Sequence, residues 1–347
     1  MKRKLIVIIA ILLVIAAIVG GFYAYHIYKN MYTSNVIIPD KGEVHLYLPS
    51  NASYSELTDS LLALNVLQDA DGFQWLAGKK SLPETFSSGH YILRDGMSNN
   101  EIINTFRAGR QVPVKVVFHN VRTVEELAGI ISGQLELDSA GMASLLNDNN
   151  YISSLGYTKE TIPALFIPNT YEFYWTTNAE EFISRMQKEH DRFWNESRME
   201  KAVRAGLSPI EISTLASIID EETSKNDEKS KIAGVYINRL KRGIPLQADP
   251  TIKFALGDPT IKRVLSSYLT INSPYNTYKN AGLPPGPIRI PSIAAMEAVM
   301  NYQKHEYLYF CAKADFSGYH AFAKTLTQHL RNAKKYQQAL NKKRIYR

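Results

Sequence analysis

The chain of 347 residues has a single cysteine, Cys311. One thiol excludes an internal disulfide framework and a cysteine-rich metal site. A lone cysteine is more typical of a small core residue than of a nucleophile. The sequence also lacks a His-x-x-x-His pair and any cluster of histidine with cysteine. It therefore predicts no metal and no other cofactor.

Charge is sparse as well, with 21% charged residues against 45% hydrophobic ones. This balance is typical of a folded protein and excludes a largely disordered one. The net charge of +7 comes partly from the first residues, "MKRK", and from the tail "KKYQQALNKKRIYR". Such a tail is more typical of a solvated helix end than of a nucleic-acid surface, so we predict no nucleic-acid partner. Mild basicity would suit a polymer that carries carboxylates.

A long hydrophobic run follows the basic start of the chain. No polar side chain occurs from Leu5 to Phe22, which is long enough to cross a bilayer with help from its flanks. The run is long for a cleaved signal peptide and has no clear small-x-small site, so we favour an uncleaved anchor over that alternative. The positive-inside rule then predicts a cytoplasmic tail (1–4), a transmembrane anchor (5–28) and a tether (29–42). This topology is that of a single-pass protein of the cytoplasmic membrane with its larger domain on the outer or periplasmic side.

The rest of the chain mixes strand and helix patterns without a repeat, which predicts the α+β class. Residues 43–112 predict a small α+β module, with an alternating strand at 43–49, capped helices, and a second strand that ends in the Asp95-Gly96 turn. Residues 113–347 predict a larger mixed α/β domain. In it we expect one helix around 180–205, and one long loop from 244 to 290 that is rich in proline, glycine, asparagine and tyrosine.

Three consecutive acids stand out in "LASIIDEETSKNDEK" (215–229). Ser208 and Glu211 form a capping box, so a helix should begin at Pro209. At about 100° per residue, the apolar stripe of this helix includes position 222. The same geometry points Asp220 and Glu221 away to either side, where we expect them to be solvated.

Glu222 thus occupies a position where an apolar residue is expected. A carboxyl group in a partly dry site binds its proton more tightly, as a general acid at neutral pH must. The alternative is that Glu222 marks the frayed end of the helix, where the stripe opens to water. Periodicity alone leaves both interpretations open.

The same region resembles a known family. "ASIIDEETSKNDEKSKIAGVYINRLKRGIPLQADPTIKFAL" and "SPYNTYKNAGLPPGPIRIPS" are similar to the two signature blocks of the endolytic murein transglycosylases, the MltG or YceG-like family. "LFIPNTYEF" resembles a third family motif, and "GHYILRDGMSNNEII" resembles the LysM-like module that precedes the catalytic domain. The similarity covers nearly the whole chain. A few positions depart from the family pattern, among them Asp220, Glu221, Ala248 and Asn169.

The resemblance implies a lyase that cleaves the MurNAc-β-1,4-GlcNAc bond within nascent peptidoglycan strands and leaves 1,6-anhydro ends. It implies that Glu222 is the catalytic acid and base, and that the enzyme limits strand length in cooperation with peptidoglycan synthases. One carboxyl group can suffice, because the C6 hydroxyl of the sugar attacks its own C1. The implied fold is a LysM-like module followed by a YceG-like catalytic domain.

The two signature blocks also suggest residues that hold the glycan. We predict substrate binding by Gln247, Asp249, Asn276 and Tyr278, whose polar groups suit sugar hydroxyl and N-acetyl groups. The alternative for Asp249 is a helix cap, and the alternative for the second block is a rigid loop.

Two other functions remain open from the sequence. A peptidoglycan hydrolase would use Asp249 as a second carboxylate and leave a reducing end. A non-catalytic glycan-binding scaffold would use only the module and the anchor, and it would not need Glu222.

Overall fold

A computed structural model describes residues 2–39, 42–258, 260–261 and 263–343. Met1 of the predicted tail, residues 40 and 41 of the predicted tether, and residues 259, 262 and 344–347 of the predicted catalytic domain lie outside the described residues. The chain divides into two compact units. The first unit comprises Met1–Val116, Gln134–Glu136 and Glu172–Thr177, and the second comprises Val117–Gly133, Leu137–Tyr171 and Asn178–Arg347.

The first unit begins with the predicted apolar helix, α1 (Lys2–Tyr32). Its large apolar side chains are all exposed from Leu5 to Phe22. Within the described part of the chain it is the one unbroken helix that is long and apolar enough to cross a membrane. A helix that is apolar all round and exposed all round matches a lipid environment rather than water.

The last turns of α1 are held by a network of asparagine side chains. Asn99 Nδ2 donates to the carbonyl of Asn30 at 2.9 Å, and Asn35 Nδ2 donates to Asn99 Oδ1 at 2.6 Å. Asn35 also exchanges hydrogen bonds with the backbone of Asp69. All three asparagines are buried, and so is Val36. The segment predicted as a tether therefore contains the end of a helix and a packed extended stretch.

A two-stranded antiparallel sheet forms the centre of the small module. Strand β1 (Glu43–Leu48) pairs with β2 (Gly89–Arg94), with Leu46 opposite Tyr91. Between the strands lie α2 (Tyr54–Ala63), α3 (Ala70–Lys79) and α4 (Leu82–Thr85), and α5 (Asn99–Arg107) follows. Capping boxes at Ser53 and Ser98 begin α2 and α5, as such sequences do.

The remaining elements lie in the second unit or at its border. Strands β3 (Val114–Val117) and β4 (Thr170–Phe173) each contain a boundary between the units. The helices are α6 (Val124–Ser132), α7 (Ser139–Asn147), α8 (Asn149–Ser154), α9 (Ala179–Phe193), α10 (Glu196–Ala205), α11 (Pro209–Glu222), α12 (Asn226–Lys241), α13 (Asp249–Leu256), α14 (Ile293–Met300) and α15 (Leu326–Lys342). A hairpin of β5 (Tyr309–Ala312) and β6 (His320–Ala323) precedes α15.

Two predictions about elements of the second unit were wrong. The single helix expected around 180–205 is two helices, because Asn195 caps the start of α10 with its side chain. The loop expected from 244 to 290 contains α13, which begins with Asp249 followed by Pro250. Proline in the first turn is compatible with a helix start, so its presence did not exclude one there.

Helix α11 lies at the centre of the second unit. It packs against α12 and α14, and every residue from Ile212 to Ile219 is buried. The apolar stripe therefore covers much more of this helix than the sequence pattern indicated. Helix α11 is enclosed on all sides, and the chemistry at its end is set by its neighbours.

Gly234 allows the chain after α14 to lie close against α12. A Cβ atom there would come within 2.3 Å of the Gln303 carbonyl oxygen and 2.7 Å of His305 Nε2. We expect Gly234→Ala to lower the free energy of unfolding by about 1–3 kcal/mol, because the backbone of residue 303 must move. Gly129→Ala in α6 is the matched control. Nothing lies within 4 Å of its Cβ position, so alanine there should stabilise by about 1 kcal/mol. In thermal unfolding, Gly234→Ala should melt at a lower temperature than the wild type, and Gly129→Ala should melt at a higher one.

Candidate active site

The end of α11 is fixed by a buried ion pair. Asp220 accepts a hydrogen bond from Lys229 Nζ at 2.7 Å, and the two side chains are 8% and 7% exposed. Its carboxylate also accepts the backbone N–H and the hydroxyl of Ser292, which begins α14. The prediction that Asp220 is solvated was therefore wrong. It ties the end of α11 to α12 and to α14.

Glu221 is paired as well, on another side of the helix. Arg289 Nη1 lies 2.6 Å from its carboxylate and Arg122 Nη2 lies 2.9 Å from it, while its side chain is 16% exposed. The expectation of a solvated Glu221 was also wrong. Neighbouring segments supply cations to both acids, which the periodicity of one helix could not show. The two networks hold the helix end on both sides of Glu222.

Glu222 is the last residue of α11, and its helix end is ordered rather than frayed. The N–H of Thr223 still donates to the carbonyl of Ile219 at 3.1 Å. Burial raises the pKa of Glu222 to about 7, the Tyr236 hydrogen bond lowers it, and the nearby Asp249 charge raises it. The carboxyl group also stands at the negative end of a helix, which disfavours its anion further. A carboxyl group with this pKa can give and take a proton at neutral pH.

Helix α12 brings two further polar side chains to Glu222. Tyr236 donates its hydroxyl proton to Glu222 Oε1 at 2.7 Å, and its ring is almost fully buried. Arg239 stands three residues later, so it shares that face of the helix. Burial raises the pKa of Tyr236 well above its usual value, so this hydroxyl remains a donor. Tyr236 therefore fixes the orientation of the Glu222 carboxyl group.

These side chains line a cavity of about 420 Å³. Gln247, Asp249 and Tyr278 form part of its wall, as do Tyr309 of β5 and His329 of α15. Asp249 accepts a hydrogen bond from the Tyr278 hydroxyl at 2.5 Å. The structure thus brings three of the four predicted substrate-binding residues to the same cavity as Glu222. Within the described residues, no group of three or more histidine, cysteine and acidic side chains is placed to hold a metal ion.

Gln247 is held in an unusual backbone conformation. Its φ is +51°, its N–H donates to the Thr277 carbonyl at 3.0 Å, and its Oε1 accepts from Arg239 at 3.2 Å. A non-glycine residue with positive φ is uncommon and is held here by its neighbours. The strain places an exposed amide group on the wall of the cavity.

Asn276 requires a correction, because the structure places it inside its own loop. The residue is fully buried, and its Nδ2 donates to the carbonyls of Leu269 at 3.0 Å and Ile271 at 2.8 Å. Its Oδ1 accepts from the N–H of Tyr278 at 3.0 Å. Both ends of the amide are occupied, so Asn276 fixes the loop that carries Tyr278 and does not face the substrate. This is the rigid-loop alternative for that residue.

Sequence reasoning missed Tyr236, Arg239, Tyr309 and His329 as members of the site. Tyr236 and Arg239 could have been found as a polar i, i+3 pair beside Ile232, Ala233 and Ile237, which are buried. Tyr309 and His329 are far from the signature blocks in sequence. Only the packing of β5 against α12, and of α15 against the hairpin, brings them to the cavity.

The sequence was compared with known proteins. Residues 46–335 match the profile of the YceG-like family. The chain belongs to the YceG-like family. This confirms the resemblance inferred from the two signature blocks.

Named relatives of this YceG-like chain occur in several bacteria. A protein of Bacillus subtilis (strain 168) named endolytic murein transglycosylase is 30% identical over 342 residues, which cover 94% of this chain and 93% of that protein. A protein of the same name from Streptococcus pneumoniae serotype 2 (strain D39 / NCTC 7466) is 26% identical over 328 residues, which cover 84% of this chain and 58% of that protein. The crystal structure of a YceG-like protein from Listeria monocytogenes is 29% identical, with a TM-score of 0.55, over 84% of this chain and 99% of that one.

The Tyr236 hydroxyl should affect how kcat/KM of this YceG-like protein depends on pH. The hydrogen bond to Glu222 favours the charged carboxylate, so Tyr236→Phe should raise the pKa of Glu222 further above about 7. A general acid acts only while protonated, so the alkaline limb of the kcat/KM profile should move up by about one pH unit. Tyr275→Phe is the control, because Tyr275 packs against Phe254 and does not contact Glu222. A limb that stays in place in Tyr236→Phe would contradict this role.

Proposed function

We propose that this chain is a membrane-anchored endolytic lytic transglycosylase of peptidoglycan. The observation that carries the proposal is the Glu222 carboxyl group, which has a pKa of about 7 and lies in a cavity lined by hydrogen-bonding side chains. Family membership and the names of its relatives support the class of enzyme, a carbon–oxygen lyase acting on peptidoglycan. The position of the cut and the 1,6-anhydro product are what the family resemblance implies, and they are part of this proposal.

The reaction proceeds by one proton cycle on Glu222. The protonated carboxyl group gives its proton to the glycosidic oxygen as the bond from C1 of N-acetylmuramic acid to that oxygen breaks. The carboxylate then takes the proton of the C6 hydroxyl while the C6 oxygen bonds to C1, which closes the 1,6-anhydro ring. No water is consumed and Glu222 regains its proton. Intramolecular attack supplies the effective concentration that a second protein carboxylate would otherwise have to provide.

The surroundings of Glu222 suit both halves of this cycle. The pKa of about 7 leaves a large fraction of either protonation state at neutral pH. Tyr236 keeps one carboxyl oxygen occupied, so the other oxygen is left to exchange the proton with the substrate. Burial raises the pKa of Glu222 most, the negative charge of Asp249 raises it further, and Tyr278 holds Asp249 in place. Gln247, Asp249 and Tyr278 would bind the sugar on either side of the cut.

We infer the location of the enzyme from α1 and from the small module. Helix α1 would anchor the protein in the cytoplasmic membrane, with "MKRK" inside and the chain after α1 outside. The module of β1, β2 and the helices between them would be the LysM-like module that the family resemblance implies, and we propose that it binds glycan. In this setting the substrate is newly made glycan near the membrane, the enzyme limits strand length, and peptidoglycan synthases are its partners.

Digestion of uncross-linked glycan strands in water enriched with ¹⁸O tests the chemistry. The full-length protein in detergent should make internal cuts whose muramic ends lack one water and carry no ¹⁸O. Reducing ends that carry ¹⁸O would show hydrolysis instead.

The hydrolase remains the second candidate because Asp249 lines the same cavity as Glu222. In that case Asp249→Asn should abolish the ¹⁸O-bearing product, whereas the lyase should retain measurable cleavage without Asp249. If glycan strands bind to the protein but are not cleaved, even when membrane lipid is present, the non-catalytic scaffold is the remaining function.

A further inference from the structure

Arg239 is a buried cation whose partners are almost all neutral. It is 6% exposed. Its Nε donates to the Leu308 carbonyl at 2.7 Å, and its Nη1 donates to the carbonyls of Pro245 at 3.0 Å and Leu246 at 2.8 Å. Nη1 also donates to Gln247 Oε1 at 3.2 Å. These bonds fix the plane of the guanidinium and orient it within the wall of the cavity.

One nitrogen of Arg239 remains without a protein partner. Nη2 makes no hydrogen bond to any of the described residues, and it is not one of the fully buried unpartnered atoms, so it is accessible from the cavity. No Asp or Glu within the described ranges forms an ion pair with this arginine. A buried cation is normally paired, because an isolated charge is costly to desolvate. Arg239 thus presents a positive charge with an unused donor, Nη2, to the cavity.

His329 provides a second unpaired group on the wall of the same cavity. Its ring stacks on Tyr309 with centroids 5.4 Å apart, and the Arg239 guanidinium lies 5.1 Å from the centroid of the same tyrosine ring. The buried Nδ1 of His329 has no partner, and neither ring nitrogen hydrogen-bonds to another residue in the described part of the chain. Burial and then the Arg239 charge lower the pKa of His329, so its imidazole is neutral at neutral pH.

We propose that Arg239 and His329 form a carboxylate-binding subsite of the catalytic cavity, with Arg239 Nη2 and a ring N–H of His329 as the donors. The inference rests on the proposed function, because it assigns the acidic group of the substrate to a place beside Glu222. The subsite would hold a carboxylate of the glycan strand. Two donors on a rigid guanidinium and an imidazole favour an anion over a neutral hydroxyl group.

Peptidoglycan offers this carboxylate from two sources. One is the lactyl group of N-acetylmuramic acid, which is a free acid where the strand bears no peptide. The other is the stem peptide, whose own carboxylates remain when the lactyl group is amidated. Sugar chains built of N-acetylglucosamine alone carry neither. The three kinds of ligand therefore separate carboxylate recognition from recognition of the sugar rings.

Binding should be measured by calorimetry with full-length Glu222→Gln protein in detergent, which holds the ligands without cutting them. The ligands are a MurNAc–GlcNAc tetrasaccharide with free lactyl groups, the same sugar with stem peptides, and chitotetraose. A carboxylate ligand should bind about tenfold or more tightly than chitotetraose. The same titrations are repeated with Glu222→Gln/Arg239→Gln. The ligand that no longer binds more tightly than chitotetraose to this double variant is the source of the carboxylate. Equal affinity for all three ligands would overturn the proposal.

A second readout does not depend on a change at Arg239, which also supports the fold. The C2–H resonance of His329, identified by its loss in His329→Gln, should titrate at higher pH when the carboxylate ligand is bound, because an adjacent anion stabilises imidazolium. Chitotetraose should leave the titration unchanged. No shift with any ligand would count against the subsite. Neither readout requires cleavage, so anhydro ends found without carboxylate preference would overturn only this inference.

Discussion

Replacing Glu222 with glutamine should reduce glycan cleavage by about 10²–10⁴-fold, because glutamine cannot transfer a proton. Glutamine keeps the shape of the side chain and an oxygen that can accept the Tyr236 hydrogen bond. Glycan binding should therefore survive while kcat falls. The measurement is the rate at which new strand ends form, read by mass spectrometry. Glu221→Gln is the comparison variant on the adjacent acid. Because Glu221 pairs with Arg289, this change should lower stability more than it lowers the rate of cleavage.

The melting temperature of Glu222→Gln shows whether this variant is correctly folded. The pKa of Glu222 is raised from 4.5 to about 7, so its contribution to stability is present below pH 4.5 and is lost as pH rises to about 7. Above that range the wild-type protein holds a buried anion, whereas the variant holds a neutral amide. Glu222→Gln should thus have the higher melting temperature at pH 8 and a similar one at pH 4. A lower melting temperature at pH 8 would mean that the lost activity reports damage to the fold.

Lys229→Met should lower the free energy of unfolding of the second unit by about 3–5 kcal/mol. The change leaves the Asp220 carboxylate buried without its cation, although Ser292 still donates two hydrogen bonds to it. Asp220 lies two residues before Glu222, so cleavage should fall even in molecules that remain folded. Scanning calorimetry of the full-length protein measures the first effect, and strand digestion measures the second.

Two further variants show whether the loss comes from the unpaired charge. Asp220→Asn/Lys229→Met removes both charges and should recover much of the stability. Arg204→Met breaks the pair with Glu200, whose side chains are 64% and 63% exposed, and should change stability by less than about 1 kcal/mol. If Lys229→Met behaved like Arg204→Met, the ion pair would not be what holds the end of α11.

The three acids at the end of α11 show how far one sequence can predict a site. Helix periodicity selected Glu222, and the structure gives this residue the raised pKa expected of a general acid. The same periodicity placed Asp220 and Glu221 in water, but Lys229 and Arg289 come from other segments and pair with them. A pattern within one helix reports the direction of a side chain. It does not report which neighbour occupies that direction.

The sequence predicted some of the cavity residues that lie within the two signature blocks. Gln247, Asp249 and Tyr278 were found in this way, whereas Asn276 was assigned to the substrate because its loop was read without its internal hydrogen bonds. Arg239 and His329 are ninety positions apart in sequence, and they line one cavity because both pack on Tyr309, which no local sequence pattern predicts. The helical caps were the most predictable features of the fold, since Ser53, Ser98 and Ser208 each bond within three residues.

In the proposed membrane-anchored protein, the fixed end of α1 would set the distance of the first unit from the bilayer. His26 contacts Trp75 of α3 edge to face, four residues after the apolar run ends at Phe22. At 1.5 Å per residue, this contact would then stand about 6 Å above the hydrocarbon of the bilayer, within the layer of lipid headgroups. Because the hydrogen bond between Asn99 and Asn30 fixes its last turns, α1 is joined to the module rigidly and not through a flexible linker. Glycan that has already moved outward into the wall would pass beyond the reach of this module, so its height would select the youngest strands.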